Sequence, residues 1–314
     1  MTEEVARAAR LLREGRLVAF PTETVYGLGA DAASAAAVAR LYAAKRRPID
    51  HPVIVHFADA EGAFAWAREV PQAARTLAAK FWPGPLTLIL KRSPKAGDFV
   101  TGGQDTVGLR VPSHPVAQAL LRAFGGAIAA PSANRFGEVS ATTAAHVRED
   151  LAAEADLVLE GGDSDIGIES TIVDLSGGKA VLLRPGHIGA AELEAALGEK
   201  LAAKPADAPR HSGGLERHYA PRTPAQLVAP HELDAEIGRW HAEGSEVAVL
   251  AFSRPDERVD FWLRMPKEPV AYAQKLYAAL RELDSAGCAR ILIETPPAED
   301  SWAAVRDRLR RAAA

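Results

Sequence analysis

The 314-residue sequence predicts an α/β protein built from two units, and three observations carry that expectation. Helix-like and strand-like periods alternate over roughly the first 200 residues, the pattern of a sheet domain of the α/β or α+β class. The periodicity then stops between Gly198 and Pro224, where Lys204-Pro205, Pro209, Ser212-Gly213-Gly214, Pro221 and Pro224 accumulate, the composition of a linker. A shorter alternation resumes at Ala225 and reads as a small Rossmann-like unit without a glycine fingerprint for dinucleotides. The predicted division is therefore 1–200, 201–224 and 225–314.

In order along the first unit, residues 2–13 read as a helix and Leu17-Val18-Ala19-Phe20 as a short buried strand closed by Pro21. Helices are expected near 35–44, 71–80, 115–123 and 141–151. Strands are expected at 52–57 (PVIVHF), 86–90 (LTLIL), 106–111, 127–130, 157–159, 171–175 and 180–183. In the second unit the strands are 225–228, 247–251 and 291–293, with helices near 233–241, 270–283 and 298–311.

Composition removes several classes of function. With 48% hydrophobic and 25% charged residues the chain is neither disordered nor collagen-like. No uncharged apolar run approaches the ~18 residues of a membrane helix, and the first residues carry Glu3, Glu4 and several Arg, so a cytoplasmic location without membrane association is expected. A lone cysteine, Cys288, rules out an intramolecular disulfide and a multi-thiolate zinc site. The net charge of −4 leaves neither half as a basic tail, which argues against binding nucleic acid through bulk charge.

GxxxxGK[ST], HExxH and GxSxG motifs are absent, so the chemistry must be read from subtler segments. Pro21-Thr22-Glu23-Thr24-Val25-Tyr26-Gly27 places two hydroxyls and a carboxylate after a strand, where small ligands bind α/β sheets; alone, it reads equally as a turn with a capped helix start. Lys45-Arg46-Arg47-Pro48 suits a phosphate clamp, or simply complements a helix C-terminus. His51 and His56 flank the PVIVHF strand on opposite faces and make poor joint metal ligands. Pro131-Ser132-Ala133-Asn134, with Ser140 beyond it, offers small donors at a strand end that suit an oxyanion or a plain turn. Ser170-Thr171 enters one strand and Arg184 leaves the next.

Taken in order, PTETVYGLG, K-x-R-P, PxIVH, FWPGPLT, VGLRVPSHP, PSAN, GIESTIVD and LRPG resemble the YrdC-like family of threonylcarbamoyl-AMP synthases over about residues 5–195. The downstream His218-Tyr219-Ala220-Pro221 and the last helices resemble its longer members, which carry an additional C-terminal domain. The resemblance implies a YrdC-like twisted mixed sheet with flanking helices. It implies a nucleotidyltransferase joining L-threonine, bicarbonate or CO2, and ATP, with Mg2+, into threonylcarbamoyl-adenylate and pyrophosphate, for use by a downstream tRNA threonylcarbamoyl transferase machinery. By the same resemblance Thr24, His56, Arg110 and Ser170 form the threonine pocket. Arg47, His51, Thr106, Ser132, Asn134, Ser140 and Arg184 contact ATP, and Lys45, Arg47 and Arg184 neutralise the phosphates. His51 departs from the pattern, since members usually carry Asn there. The linker, about 205–222, is expected to fold over the ATP site with His218 and Tyr219 covering the nucleotide. The alternative is a non-catalytic module of the same fold that binds double-stranded RNA or tRNA, and weak contact with either is the remaining nucleic-acid expectation.

Overall fold

A computed structural model describes residues 2–314. The described residues divide into two compact units, one of residues 2–136 and 141–214 and the other of Gly137–Ser140 and Leu215–Ala314. The linker is thus shared out between the two.

In the first unit the strands are β1 (Val18–Phe20), β2 (Gly27–Asp31), β3 (Ile54–His56), β4 (Leu86–Lys91), β5 (Thr106–Arg110), β6 (Ile128–Ala129), β7 (Leu157–Val158), β8 (Thr171–Asp174) and β9 (Val181–Arg184). They form one mixed sheet in the order β7-β1-β2-β6-β3-β5-β4-β8-β9. Parallel pairs (β1 with β7, β3 with β5, β4 with β8) are interspersed among antiparallel ones, three of which follow one another from β1 to β3. The main helices are α1 (Glu3–Arg13), α2 (Ala35–Lys45), α3 (Ala60–Phe64), α4 (Gln72–Phe81), α5 (Asp98–Thr101), α6 (Pro115–Phe124), α7 (Ala144–Leu151) and α8 (Ala190–Leu197).

Helix α1 forms because Thr2 caps it, accepting from Val5 N, and because Val5, Ala8, Ala9 and Leu12 make one apolar stripe. That stripe packs with Leu120, Leu121 and Phe124 of α6 against Val18 and Phe20. A second and larger cluster on Leu28, Val55, Leu88 and Leu109 gathers Leu41 of α2 and Leu77 of α4. Covering both faces of the sheet leaves its strand ends as the places where polar side chains converge.

The structure differs from the sequence expectation at several points. The segment after Pro21 is a turn leading into β2, which pairs antiparallel with β1, and no helix starts there. Two glycines hide this strand from a propensity reading, yet packing demands one of them: a Cβ at Gly29 would lie 2.9 Å from both Ile128 and Phe20. The PVIVHF strand is shorter than expected, so His51 sits in the turn before β3 and does not share a strand with His56.

The second unit carries β10 (Ala225–Val228), β11 (Val247–Ala251), β12 (Phe261–Arg264) and β13 (Arg290–Glu294), all parallel, in the order β10-β13-β11-β12. Its main helices are α9 (Leu233–Ala242), α10 (Pro269–Asp284) and α11 (Ala303–Ala312). β11 is buried along its whole length, as a central parallel strand requires. β12 escaped the sequence reading because it is a half-buried edge strand without alternation. Among the described residues no helix is long and apolar enough to cross a membrane.

Candidate active site

Helix α2 sets the first part of the site. Ser34 caps its start, and Arg46 ends it in the left-handed region at φ 54°, a conformation costly for a side-chain-bearing residue. Lys45 is consequently held on the last turn, 1% exposed, and its ammonium donates to Ser132 O at 2.5 Å and to Asn134 O. Past the turn, Arg47 donates through Nη2 to Pro52 O (2.8 Å) and lies over the Phe136 ring at 5.2 Å. His51 packs edge-on against the same ring, with centroids 5.4 Å apart.

Arg184 leaves β9 buried and donates from Nε and Nη2 to Ser170 O (3.0 and 2.8 Å), from Nη2 to Ser170 Oγ (3.1 Å) and from Nη1 to Ser212 O (2.9 Å). The Ser212 hydroxyl in turn lies 3.5 Å from Arg47 Nη2 and donates to Pro52 O at 3.1 Å. Arg47 and Arg184 are therefore brought to one short stretch of the segment before Gly214. Beside it a small, partly open pocket is lined by Thr106, Thr87, Ile54, Gln104, Arg210 and Ser212, among others.

The remaining predicted residues meet across the central strands. His56 at the end of β3 pairs in register with Arg110 at the end of β5, and Arg110 with Thr87 of β4. Thr87 Oγ1 is 2.8 Å from Ser170 Oγ, which links this group to Arg184. Thr24 is fully buried, its hydroxyl 2.9 Å from Thr22 Oγ1. Thr22 donates to Val25 O at 2.6 Å, so its single proton is committed there and the Thr24 hydroxyl must be the donor of the pair.

Two buried nitrogens stay without a partner, His56 Nδ1 and Arg110 Nε, on side chains only 3% and 4% exposed. Burial, reinforced by the Arg110 charge, pushes the His56 imidazole down to about 3, so it is neutral near pH 7 and a weak proton acceptor. Arg110 is compensated by Glu23, which accepts from its Nη2 at 2.6 Å and from Ser113 N at 3.0 Å. Burial alone would raise the Glu23 carboxyl; the charge and hydrogen bond of Arg110, with the backbone donors, outweigh it and hold the group below the ordinary carboxylate value.

Residues 10–186 match the Sua5/YciO/YrdC family model, described as telomere recombination, and residues 188–314 match the threonylcarbamoyl-AMP synthase C-terminal domain. The threonylcarbamoyl-AMP synthase of Pyrococcus abyssi is 40% identical over 316 residues, covering 97% of this chain and 92% of that one. That of Bacillus subtilis is 40% identical over 323 residues, covering 99% and 93%. The chain belongs to the threonylcarbamoyl-AMP synthase family. Its fold superposes on the crystal structure of Pyrococcus abyssi Sua5 complexed with L-threonine with a TM-score of 0.93 at 39% identity, covering all of this chain and 95% of that one.

Within this family frame, the first unit holds Thr24, Lys45, Arg47, His51, His56, Thr106, Arg110, Ser132, Asn134, Ser170 and Arg184. Ser140, His218 and Tyr219 fall in the second. There Arg281 donates to Ser140 O at 3.4 Å, the His218 and Tyr219 rings lie 4.1 Å apart, and Tyr219 stacks on Tyr277 with Arg308 over its face. The polar residues that sequence reasoning did not commit to are Thr22, Glu23, Thr87 and Ser212. The first two stand inside the quoted PTET segment and Ser212 in the linker stretch expected to fold over the ATP site, whereas Thr87 in an apolar strand carries no local signal.

Proposed function

We propose that the first unit condenses L-threonine, bicarbonate or CO2, and ATP, releasing pyrophosphate. The chain is an ATP-using transferase of the threonylcarbamoyl-AMP synthase class. Its product feeds threonylcarbamoyladenosine formation in tRNA, and in our reading the adenylate passes to a separate tRNA threonylcarbamoyl transferase in the cytoplasm. The observation that carries the substrate reading is the facing pair of buried, unpartnered nitrogens, His56 Nδ1 and Arg110 Nε. A buried donor or acceptor without a partner is costly, and a bound amino acid would satisfy both.

The carbamate formed on the threonine amine attacks the α-phosphorus and pyrophosphate leaves. Lys45, Arg47 and Arg184 are held in place by main-chain carbonyls before ATP arrives, the preorganisation that electrostatic stabilisation of a phosphoryl transfer needs. Ser212 occupies guanidinium donors that phosphate oxygens would take over, so the segment around it acts as a cover that shifts when the nucleotide binds. His56 serves as a neutral hydrogen-bonding group, since so weak a base would not take the amine proton.

Magnesium would enter with ATP. Such an ion would be ligated mainly by phosphates and water. An RNA-binding module without catalysis would have no use for polar donors buried out of reach of a nucleic-acid backbone, so the enzyme reading is preferred.

The test is pyrophosphate release from ATP, Mg2+ and bicarbonate with each amino acid in turn. Threonine-dependent release is expected; release independent of the amino acid would reject the reading.

A further inference from the structure

We propose that Glu23 is a positioning residue for amino-acid recognition: it fixes the Arg110 guanidinium by one terminal nitrogen and leaves Nε for an acceptor on the substrate, the α-carboxylate being the strongest that an amino acid offers. The inference rests on the threonine-pocket reading above and assigns a role to a residue which that reading leaves out.

Four observations converge on it. Both partners are almost wholly buried, with side chains 6% and 5% exposed, so the pair is not a solvent-screened surface contact. Both Glu23 oxygens are engaged, one by Arg110 Nη2 and the other by Ser113 N, and a carboxylate held at both ends cannot swing away from the guanidinium. The backbone is held as well, since Ile166 N donates to Glu23 O at 2.8 Å. Finally, Arg110 Nε is buried without a partner, while His56 Nδ1 on the facing strand position is equally unsatisfied.

Glu23 also stands between Thr22 and Thr24, whose hydroxyls are hydrogen-bonded to one another. Its side chain therefore ties the turn after β1 to the end of β5, elements 87 residues apart in sequence. Thr24 and Arg110, two members of the proposed pocket, take their mutual placement from this tie. Charge compensation alone would not require it, because a counter-ion could satisfy the guanidinium from any side. A clamp that occupies one nitrogen and leaves another unpartnered has a direction.

The experiment uses the full chain and measures KM for threonine, KM for ATP, kcat and melting temperature in Glu23→Gln, Glu23→Asp, Arg110→Lys and the Glu23→Gln/Arg110→Lys double variant. Glu23→Gln keeps the volume and an acceptor for Ser113 N but removes the charge; KM for threonine should rise about tenfold or more, with KM for ATP held within about twofold. Glu23→Asp, which restores the charge on a shorter arm, should recover part of the loss. Because Glu23 acts through Arg110, adding Glu23→Gln to Arg110→Lys should cost much less than it does alone.

An unchanged threonine KM in Glu23→Gln, or equal increases for both substrates, overturns the proposal. Should Glu23→Gln not fold, Glu23→Asp decides on the same criterion: a selective rise in threonine KM supports the role and an unchanged one rejects it. If Arg110→Lys raises the threonine KM while the Glu23 variants do not, only the positioning role fails. If Arg110→Lys itself leaves threonine KM unchanged, the pocket reading beneath it fails.

Discussion

Two buried carboxylate–arginine clusters, one in each unit, use the same chemistry to different ends. In the first, Glu23 takes a single nitrogen of Arg110 and the guanidinium keeps Nε unpartnered beside a neutral His56. In the second, Asp307 on α11 accepts from Arg308 Nη1 at 2.8 Å, Arg310 Nη2 at 3.3 Å and Arg311 Nε at 3.1 Å. Arg311 Nη1 then donates to Leu215 O, and His218 N to Arg311 O, which fastens the stretch from Leu215 to His218 to the last helix. Burial and ion pairing are common to both, so neither marks a ligand site. The distinguishing property is an unspent donor: one cluster retains a buried guanidinium nitrogen without a hydrogen-bond partner in the protein, whereas the other spends its carboxylate on holding main chain and helix together.

The largest test of that contrast is substrate choice. Threonine and valine are nearly isosteric, so a pocket that hydrogen-bonds the hydroxyl should reject valine by roughly 10⁴-fold in kcat/KM, whereas serine, lacking only a methyl, should be penalised by roughly 10–200-fold. Comparable turnover of valine would show that the pocket does not read the substrate hydroxyl.

Next comes Asp307→Asn, which removes the carboxylate from beneath Arg308 and Arg311. Breaking a buried pair leaves charge uncompensated, and a stability loss of about 3–5 kcal/mol is expected in denaturant unfolding, with threonine and ATP KM unchanged for the molecules that remain folded. A selective change in threonine KM would erase the distinction drawn here.

The pH dependence is smaller and has a definite sign. The His56 imidazole is held down to about 3 in the folded chain against an unfolded value of about 6.5. Between those limits the unfolded state binds the extra proton, so this group makes stability fall as pH is lowered through that window, by up to about 1.4 kcal/mol per pH unit. Glu23 and Asp307, both depressed, act in the same direction: their stabilisation is present above the ordinary carboxylate range and is lost as pH falls through their folded values. Replacing His56 by Gln should flatten the slope between about pH 6 and pH 4, before most carboxylates titrate. An unaltered slope would mean that His56 is not buried in its neutral form.

The smallest effect is expected at His51, an imidazole where the family resemblance implies an amide. His51→Asn should preserve or improve ATP affinity, and His51→Ala should weaken it by about 0.5–1.5 kcal/mol, the worth of one ordinary hydrogen bond. Equal affinity in all three proteins would assign His51 to packing against Phe136 alone.

Much of the molecule was legible in the sequence, and unevenly so. The amphipathic stripe of α1 and the buried run of β11 are local patterns, written in neighbouring residues, and they were read at nearly their observed bounds, whereas the proline- and glycine-rich stretch after Gly198 is divided between the two units. The ordered motifs likewise pointed to the family that the full-length comparisons establish. Where propensity and packing disagreed, the reading missed: β2 contains two glycines and β12 lies on a half-exposed edge, so neither announces itself before its neighbours are in place.

What the sequence determined by itself is therefore the class of fold, most of its helices and strands and the residue types available for chemistry, because periodicity and turn chemistry act within a few residues. What only the tertiary structure decided is which of those residues share a partner. Glu23 reaches Arg110, Thr87 reaches Ser170, and Ser212 is met by both Arg47 and Arg184. The same holds for which atoms are left over, Arg110 Nε and His56 Nδ1. Such pairings bring together residues 28 to 165 positions apart in the chain, and hydrogen-bond satisfaction is a property of that assembled neighbourhood, to which no local segment has access.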